Sequence, residues 1–193
     1  MRSLKPKKCR ICGELFQPRS TLQRVCSVKC GAVWALELKA KEEAKADRMQ
    51  REKLKTRADW MKEAQHEFNR YIRLRDEALP CVSCGRVEVE WTRGGSWDCG
   101  HYLTVGAHSE LRFHPLGAAK QCKKCNAGAG RFAKKNGTVT QQYRVELINR
   151  IGLANVEWLE GPHQVYRWIP LDLMEIKEYY KEQSRLLMQS RND

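Results

Sequence analysis

The sequence predicts an α+β protein with a small N-terminal zinc finger, a long connecting helix, a short-stranded core braced by four cysteines, and a helical C-terminal region. Three observations carry that prediction. Eight of the nine cysteines fall into two modules of closely paired spacing. No Pro or Gly interrupts residues 32–79. Beyond residue 146, apolar residues recur at helical spacing.

Residues 1–30 hold the first module, Cys9-x2-Cys12-x13-Cys26-x3-Cys30. Four thiolates in two close pairs satisfy tetrahedral Zn²⁺. So short a segment cannot fold by apolar burial, and metal binding supplies the missing folding energy. Lys5, Lys7, Lys8, Arg10, Arg19 and Arg24 suit contact with DNA or RNA. A structural or protein-binding finger is the competing reading.

Residues 31–79 read as helix throughout, as one long charged helix or a helix pair. The first half, "LELKAKEEAKADRMQREKLKTR", is strongly helix-forming but has few apolar residues. It is expected as an exposed connector, with a coiled-coil dimer as the alternative. Trp60, Ala64, Phe68, Tyr71 and Leu74 then fall at helical spacing, so the second half is expected to pack on a core until Pro80 ends it.

Residues 80–145 hold the second module, Cys81-x2-Cys84-x37-Cys122-x2-Cys125. A zinc there would close a loop containing two strand-like runs, "VEVEW" and "WDCGHYL", with "TRGGS" reading as a hairpin turn between them. Cys99 lies inside the second run and reads as a spare thiol. A helix is expected after Cys125, and "KKNGT" marks another turn. Residues 146–193 are expected to be mostly helical. "QYRVELINRIG" ends with Gly152 as a C-terminal cap, and Leu173, Ile176, Tyr180 and Leu187 form a core stripe.

The formal charge of +13 is uneven. Residues 1–30 carry eight Lys and Arg against one acid, and residues 80–145 carry ten against four. Residues 31–79 are nearly balanced, and 146–193 carry six against eight. Positive charge beside metal motifs points to a polyanion, most simply nucleic acid; a solubilising surface is the plainer alternative. "MRSLKPKK" is followed by no apolar run, and no stretch reaches the roughly 18 apolar residues of a membrane span. Paired cysteines without export are metal ligands in a reducing compartment, so a cytoplasmic protein is expected.

Between the cysteine pairs stand Asp98 and His101, spaced D-x-x-H. Phosphodiester hydrolysis needs an activated water and charge stabilisation at phosphorus. A histidine near neutral pKa takes the water proton, and a Mg²⁺-type ion on hard oxygen ligands stabilises the charge. Asp98 is a suitable ligand, and Asn126, directly after the last zinc cysteine, supplies a second oxygen. D-x-x-H alone is weak evidence and favours a structural histidine; the cysteine frame and basic charge reverse that balance in favour of a site. His108 and His114 are secondary candidates, while His66 and His163 read as surface or packing residues.

"WDCGHYL" followed by "QCKKCN", with "LPCVSCG" upstream, resembles the HNH (His-Me finger) nucleases. More closely, "WMKEAQHEFNRYIRLRDEALPCVSCG", "QYRVELINRIG" and "CRICGELFQP…CSVKC" are similar to the NinG/Rap proteins of lambdoid phages, branched-DNA nucleases of recombination. The resemblance implies a ββα-metal core braced by zinc, cleaving Holliday junctions and D-loops with Mg²⁺ or Mn²⁺ in the host cytoplasm. Other phage recombination proteins would be partners. On it, His101 matches the general base, Asp98 a catalytic-metal ligand, and Asn126 the position at the start of the finger helix. The family usually reads Asn-x-His-x-Gln-Cys where this chain has Gly117, Ala118, Ala119, Lys120, Gln121 and Cys122. Gly117 cannot orient a loop and Ala119 cannot bind a metal, so the fold is expected to survive and activity to suffer.

Lys120, Lys123, Lys124, Arg131, Lys134 and Lys135 cluster near the finger helix and would track phosphates; solvated surface is the alternative. Nothing reads as a base-specific recognition helix, which favours recognition of shape or branching. Two symmetric nicks in a four-way junction favour a homodimer, with residues 31–79 as candidate interface. Three readings follow: a metal-dependent structure-selective endonuclease, a non-catalytic branched-DNA-binding zinc protein, and a recombination adaptor.

Overall fold

A computed structural model describes residues 4–89, 95–131 and 137–191. The chain is of mixed α and β type, mostly helical, and divides into two compact units, Met1–Lys55 and Thr56–Asp193. The division falls inside the stretch expected to be a long helix or a helix pair.

In the first unit, β1 (Lys7–Lys8) pairs antiparallel with β2 (Leu15–Phe16), Lys7 opposite Phe16. Between them Cys9 to Gly13 form a knuckle. The Gly13 amide donates to the Cys9 carbonyl at 3.0 Å, and its φ of +75° is a conformation that glycine adopts without strain. Ser27 caps α1 (Val28–Lys53), its hydroxyl accepting from the Cys30 amide at 3.3 Å. No α1 residue is buried, as the sparse apolar pattern implies.

Of the two expectations for residues 31–79, the helix pair is the one that forms. α1 stops at Lys53 and α2 spans Arg57–Arg75. The cause is a capping box: the Asp59 amide donates to the Thr56 hydroxyl at 3.3 Å, and the Asp59 carboxylate accepts from the Thr56 amide at 2.9 Å. T-x-x-D starts a new helix without any Pro or Gly.

α2 buries Trp60, Ala64, Phe68 and Ile72, a strict i, i+4 stripe. Ile72 rather than Leu74 completes the expected core face. The stripe packs on α6 (Pro170–Gln189) through Leu173 and Tyr180, with Tyr71 and Ile176 at the margin as expected. Phe68 meets Tyr180 edge-on, ring centroids 4.9 Å apart. α4 (Gly137–Ile151) and α5 (Leu153–Glu160) supply a second apolar cluster, with Tyr143, Leu147, Val156 and Leu159 buried. Gly152 caps α4 at φ +83°, its amide donating to the Ile148 carbonyl at 2.8 Å.

The two clusters sandwich a two-stranded antiparallel sheet. β3 (Trp97–His101) pairs with β4 (Ala118–Cys122), Asp98 opposite Gln121 and His101 opposite Ala118. Val87–Val89 form no strand, and residues 90–94, with most of the expected hairpin turn, lie outside the described residues. β3 therefore finds its partner at "AAKQC", which shows no polar alternation because all five residues are buried. α3 (Lys123–Arg131) follows directly, starting before Cys125 rather than after it.

The end of α2 is locked to β4 by Asp76, which is almost fully buried. It accepts from Arg75 at 2.6 and 2.9 Å and from the Lys120 amide at 2.9 Å. Arg75 also donates to the Pro115 and Ala118 carbonyls at 2.7 and 2.8 Å. One ion pair thus fixes helix, turn and strand together.

Candidate metal centre and nucleic-acid groove

The two cysteine modules converge as their spacing implies. Within each, the four sulfurs lie within 4.8 Å of one another. Cys12–Cys26 and Cys26–Cys30 are 3.6 Å apart, and Cys84–Cys122 3.8 Å. Four sulfurs at 2.3 Å from one Zn²⁺ are about 3.8 Å apart, whereas a disulfide would bring them to about 2.05 Å. Backbone amides of Cys26 and Cys122 donate to the sulfurs of Cys9 and Cys81 at 3.4 and 3.3 Å, which suits thiolates. Both centres fit zinc. Cys99 stays outside them, buried in β3, where burial pushes its thiol up to about 12.

The second centre places Asn126. It follows Cys125 in the first turns of α3, and its Nδ2 donates to Asp98 Oδ2 at 3.1 Å. Gln121, opposite Asp98, is buried and donates to the Ser83 hydroxyl at 2.7 Å, tying the cysteine knuckle to the sheet. Gly100 is needed beside it: a Cβ there would stand 2.2 Å from Gln121 Oε1 and 2.9 Å from its Cβ. Gln121 carried no sequence signal beyond its place before Cys122.

His101 stands elsewhere. Strand alternation puts Asp98, Gly100, Ala119 and Gln121 on one face and Cys99, His101, Ala118 and Lys120 on the other. The packing agrees: Cys99 and Ala118 join the α2–α6 cluster and Ala119 the α4–α5 cluster. His101 stacks on Phe68 with centroids 5.7 Å apart. Asp98 and His101 therefore lie on opposite faces and about 10 Å apart along the strand. The D-x-x-H pair does not form one side-by-side constellation; the pair that meets is Asp98–Asn126.

His101 is nonetheless held in one state. Its Nε2 donates to the Arg112 carbonyl at 3.0 Å, which leaves the lone pair on Nδ1. Burial pushes its pKa below the ordinary histidine value, so the ring is neutral at pH 7. Gly117 is buried in a short 3₁₀ turn and its carbonyl accepts from the Tyr102 amide at 2.8 Å. A Cβ at Gly117 would meet only Leu159 Cδ2, at 3.5 Å, so a side chain can start there. Ala119 shares the Asp98 face, opposite Gly100.

Of the other histidines, His108 pairs loosely with Glu110 at 3.5 Å, and His114 and His163 pack on the Trp158 ring at 4.9 and 4.6 Å. His66 is exposed. None joins the site.

The expected phosphate stripe changes membership. Lys120 is buried, its Nζ donating to the Glu77 carbonyl at 2.8 Å and sitting 4.3 Å from the Trp97 ring centre. It is a structural cation, not part of an exposed track. Lys123 and Lys124 line a shallow groove with Arg86. Arg131 ends α3, and Lys134 and Lys135 lie outside the described residues. Sequence reasoning missed a groove of about 590 Å³ beside Asp98, lined by Arg70, Arg73, Trp97, Asp98 and Lys120 among others. Its arginines come from α2, whose opposite face alone had drawn the reading.

No helix among the described residues is long and apolar enough to cross a membrane. No solved structure matches the chain. The protein called Protein ninG in Escherichia phage lambda is 36% identical over 200 residues, covering 94% of this chain and 92% of that protein. Those of Salmonella phage P22 and Escherichia phage 933W are also 36% identical, covering 94% and 97% of this chain and 93% and 96% of theirs. The family model described as Bacteriophage Lambda NinG protein matches residues 1–190, and the chain belongs to that bacteriophage family.

Proposed function

We propose that this protein binds branched DNA, Holliday junctions and D-loops among it, on a zinc-braced HNH-type frame that cuts phosphodiesters only slowly. The observation that carries the reading is the Asp98–Asn126 pair. It is fixed to a four-cysteine centre, and Asp98 also lines a groove with Arg70 and Arg73.

Asp98 and Asn126 would hold Mg²⁺ or Mn²⁺. The donor set fits, because a Mg²⁺-type ion is held by one or two protein oxygens and otherwise by water and phosphate. Such an ion supplies electrostatic stabilisation of charge developing on the transferring phosphorus and leaving oxygen. Asn126 orients the Asp98 carboxylate through its Nδ2. His101, neutral and with Nδ1 unprotonated, is chemically fit to take a proton from water. It stands across the sheet from Asp98, however, and Ala119 sits on the Asp98 face at the position where the resembled family pattern implies a histidine. Both facts argue for binding over cutting. A full endonuclease, nicking symmetrically as a homodimer, is the second reading, favoured by the intact Asp98, Asn126 and His101.

Gel shift and cleavage on one synthetic four-way junction, with Mg²⁺ or Mn²⁺, separate these readings. The chain is expected to shift the junction, and G117N/A119H to cut it about 100-fold or more faster than the unsubstituted chain. Equal cutting by both would show that Gly117 and Ala119 cost nothing and would establish the endonuclease reading. Neither binding nor cutting would leave a recombination adaptor.

A further inference from the structure

The groove beside Asp98 contains two arginines that the resemblance leaves without a role. Arg70 and Arg73 stand three residues apart on α2, on the side away from the buried Trp60, Ala64, Phe68 and Ile72. Arg75, two residues beyond Arg73, is a useful contrast. Its guanidinium is consumed by Asp76 and by the Pro115 and Ala118 carbonyls. Arg73 has no hydrogen bond or ion pair among the described residues. Arg70 reaches Glu67 only at 3.7 Å and the Met188 sulfur at 3.7 Å, so most of its donors are unused.

The acids lining the groove do not neutralise this pair. Glu77 is paired with Arg191, and Asp98, which keeps its charge while accepting from Asn126, makes no ion pair with Arg70 or Arg73 among the described residues. A cation near the C-terminus of α2 also complements the helix dipole, which accounts for a lone Arg73. It does not account for Arg70 a turn earlier, on the same cavity wall. Two guanidinium forks whose donors are mostly unused among the described residues match the oxygens of a phosphodiester, to which they bond bidentately.

We propose that Arg70 and Arg73 form a phosphodiester-binding wall that seats the DNA backbone in the groove at Asp98. The proposal rests on the DNA-binding reading above and adds the residues that hold the strand. It replaces Lys120, which is buried, with a pair of arginines from a different element.

The test uses the full chain and a fluorescent four-way junction, with anisotropy read from 50 to 300 mM KCl without added divalent ion. R70A/R73A is expected to lose about tenfold or more in affinity. Its plot of log K against log salt should flatten by roughly 1.8, at about 0.9 per phosphate contact. R70K/R73K, which keeps the charge, should retain most of that slope. K62A, an exposed cation two turns earlier on α2, should match the unsubstituted chain. If the unsubstituted chain binds and R70A/R73A binds with the same slope, the wall is overturned while the DNA reading stands. If R70A/R73A also melts lower and lysine fails to rescue it, the arginines are structural and the proposal falls. If the unsubstituted chain binds no DNA, the underlying reading is rejected and the proposal goes with it.

Discussion

The two cysteine centres are nearly the same object in different settings. Each knuckle closes with glycine at left-handed φ, Gly13 at +75° and Gly85 at +69°, whose amide donates back to the first cysteine's carbonyl. Around the first, almost nothing else is buried: Cys9 and Pro18 are, while α1 buries no residue. Around the second stand two apolar clusters and the Asp76 lock. Local chemistry is therefore shared, and the balance between metal and core is not. With zinc in both centres, the first unit would depend on it to fold, whereas the second would use it chiefly to place Asn126.

Metal removal is the largest expected effect and the direct way to break this comparison. Structural zinc contributes roughly 10–16 kcal/mol to small cysteine domains at neutral pH. A strong chelator, or C12S, should abolish amide protection over residues 7–27. With the chelator, α2 and α6 should keep theirs. Hydrogen exchange read segment by segment checks this, and zinc content should be two per chain, falling to one in C12S. Equal collapse of both units on chelation would show that the second also folds around its metal.

How much of this was legible follows from where each signal lives. Cysteine spacing is local, so both centres were readable from the chain. The α2 core stripe and the Gly152 cap are also local patterns, and they held. What failed depended on tertiary context. β4 was invisible because burial on both faces removes alternation, leaving small Ala118 and Ala119 to fit between two helical layers. Lys120 looked exposed because lysine usually is; its burial is set by Glu77 and Trp97, distant in sequence. The parity of D-x-x-H was available, however. Once "WDCGHYL" is read as a strand, residues three apart must fall on opposite faces.

Within the second unit, Asp76 is expected to matter next. D76A leaves Arg75 partly buried without its carboxylate and the Lys120 amide without its acceptor. Loss of one partner in a buried pair costs about 3–5 kcal/mol. Denaturant unfolding followed at the tryptophans of the second unit should show that loss, while the zinc of the first centre is retained. A loss under about 1 kcal/mol would mean that the apolar clusters alone hold α2 on β4, narrowing the contrast between the units.

The smallest effect sharpens the comparison through pH, because all five histidines lie in the second unit. His101 is the one whose burial against Phe68 makes its charged form costly. Its pKa is near 6.5 when the chain is unfolded and lower when folded, so the unfolded state takes up the proton first as pH falls. Stability from this residue is complete above pH 6.5 and declines as pH falls from 6.5 toward the folded value. His114 is shifted the same way by burial and by His163, so the unsubstituted chain loses stability from both. H101Q should remove only the His101 share. The difference in unfolding free energy between the chain and H101Q should therefore shift in favour of H101Q between pH 7 and 5.5. A difference that stays flat over that range would mean that His101 is solvated enough to protonate in place. The neutral ring would still donate from Nε2 to the Arg112 carbonyl, so that outcome would overturn the costly burial of the charged form while leaving Nδ1 free to take a proton.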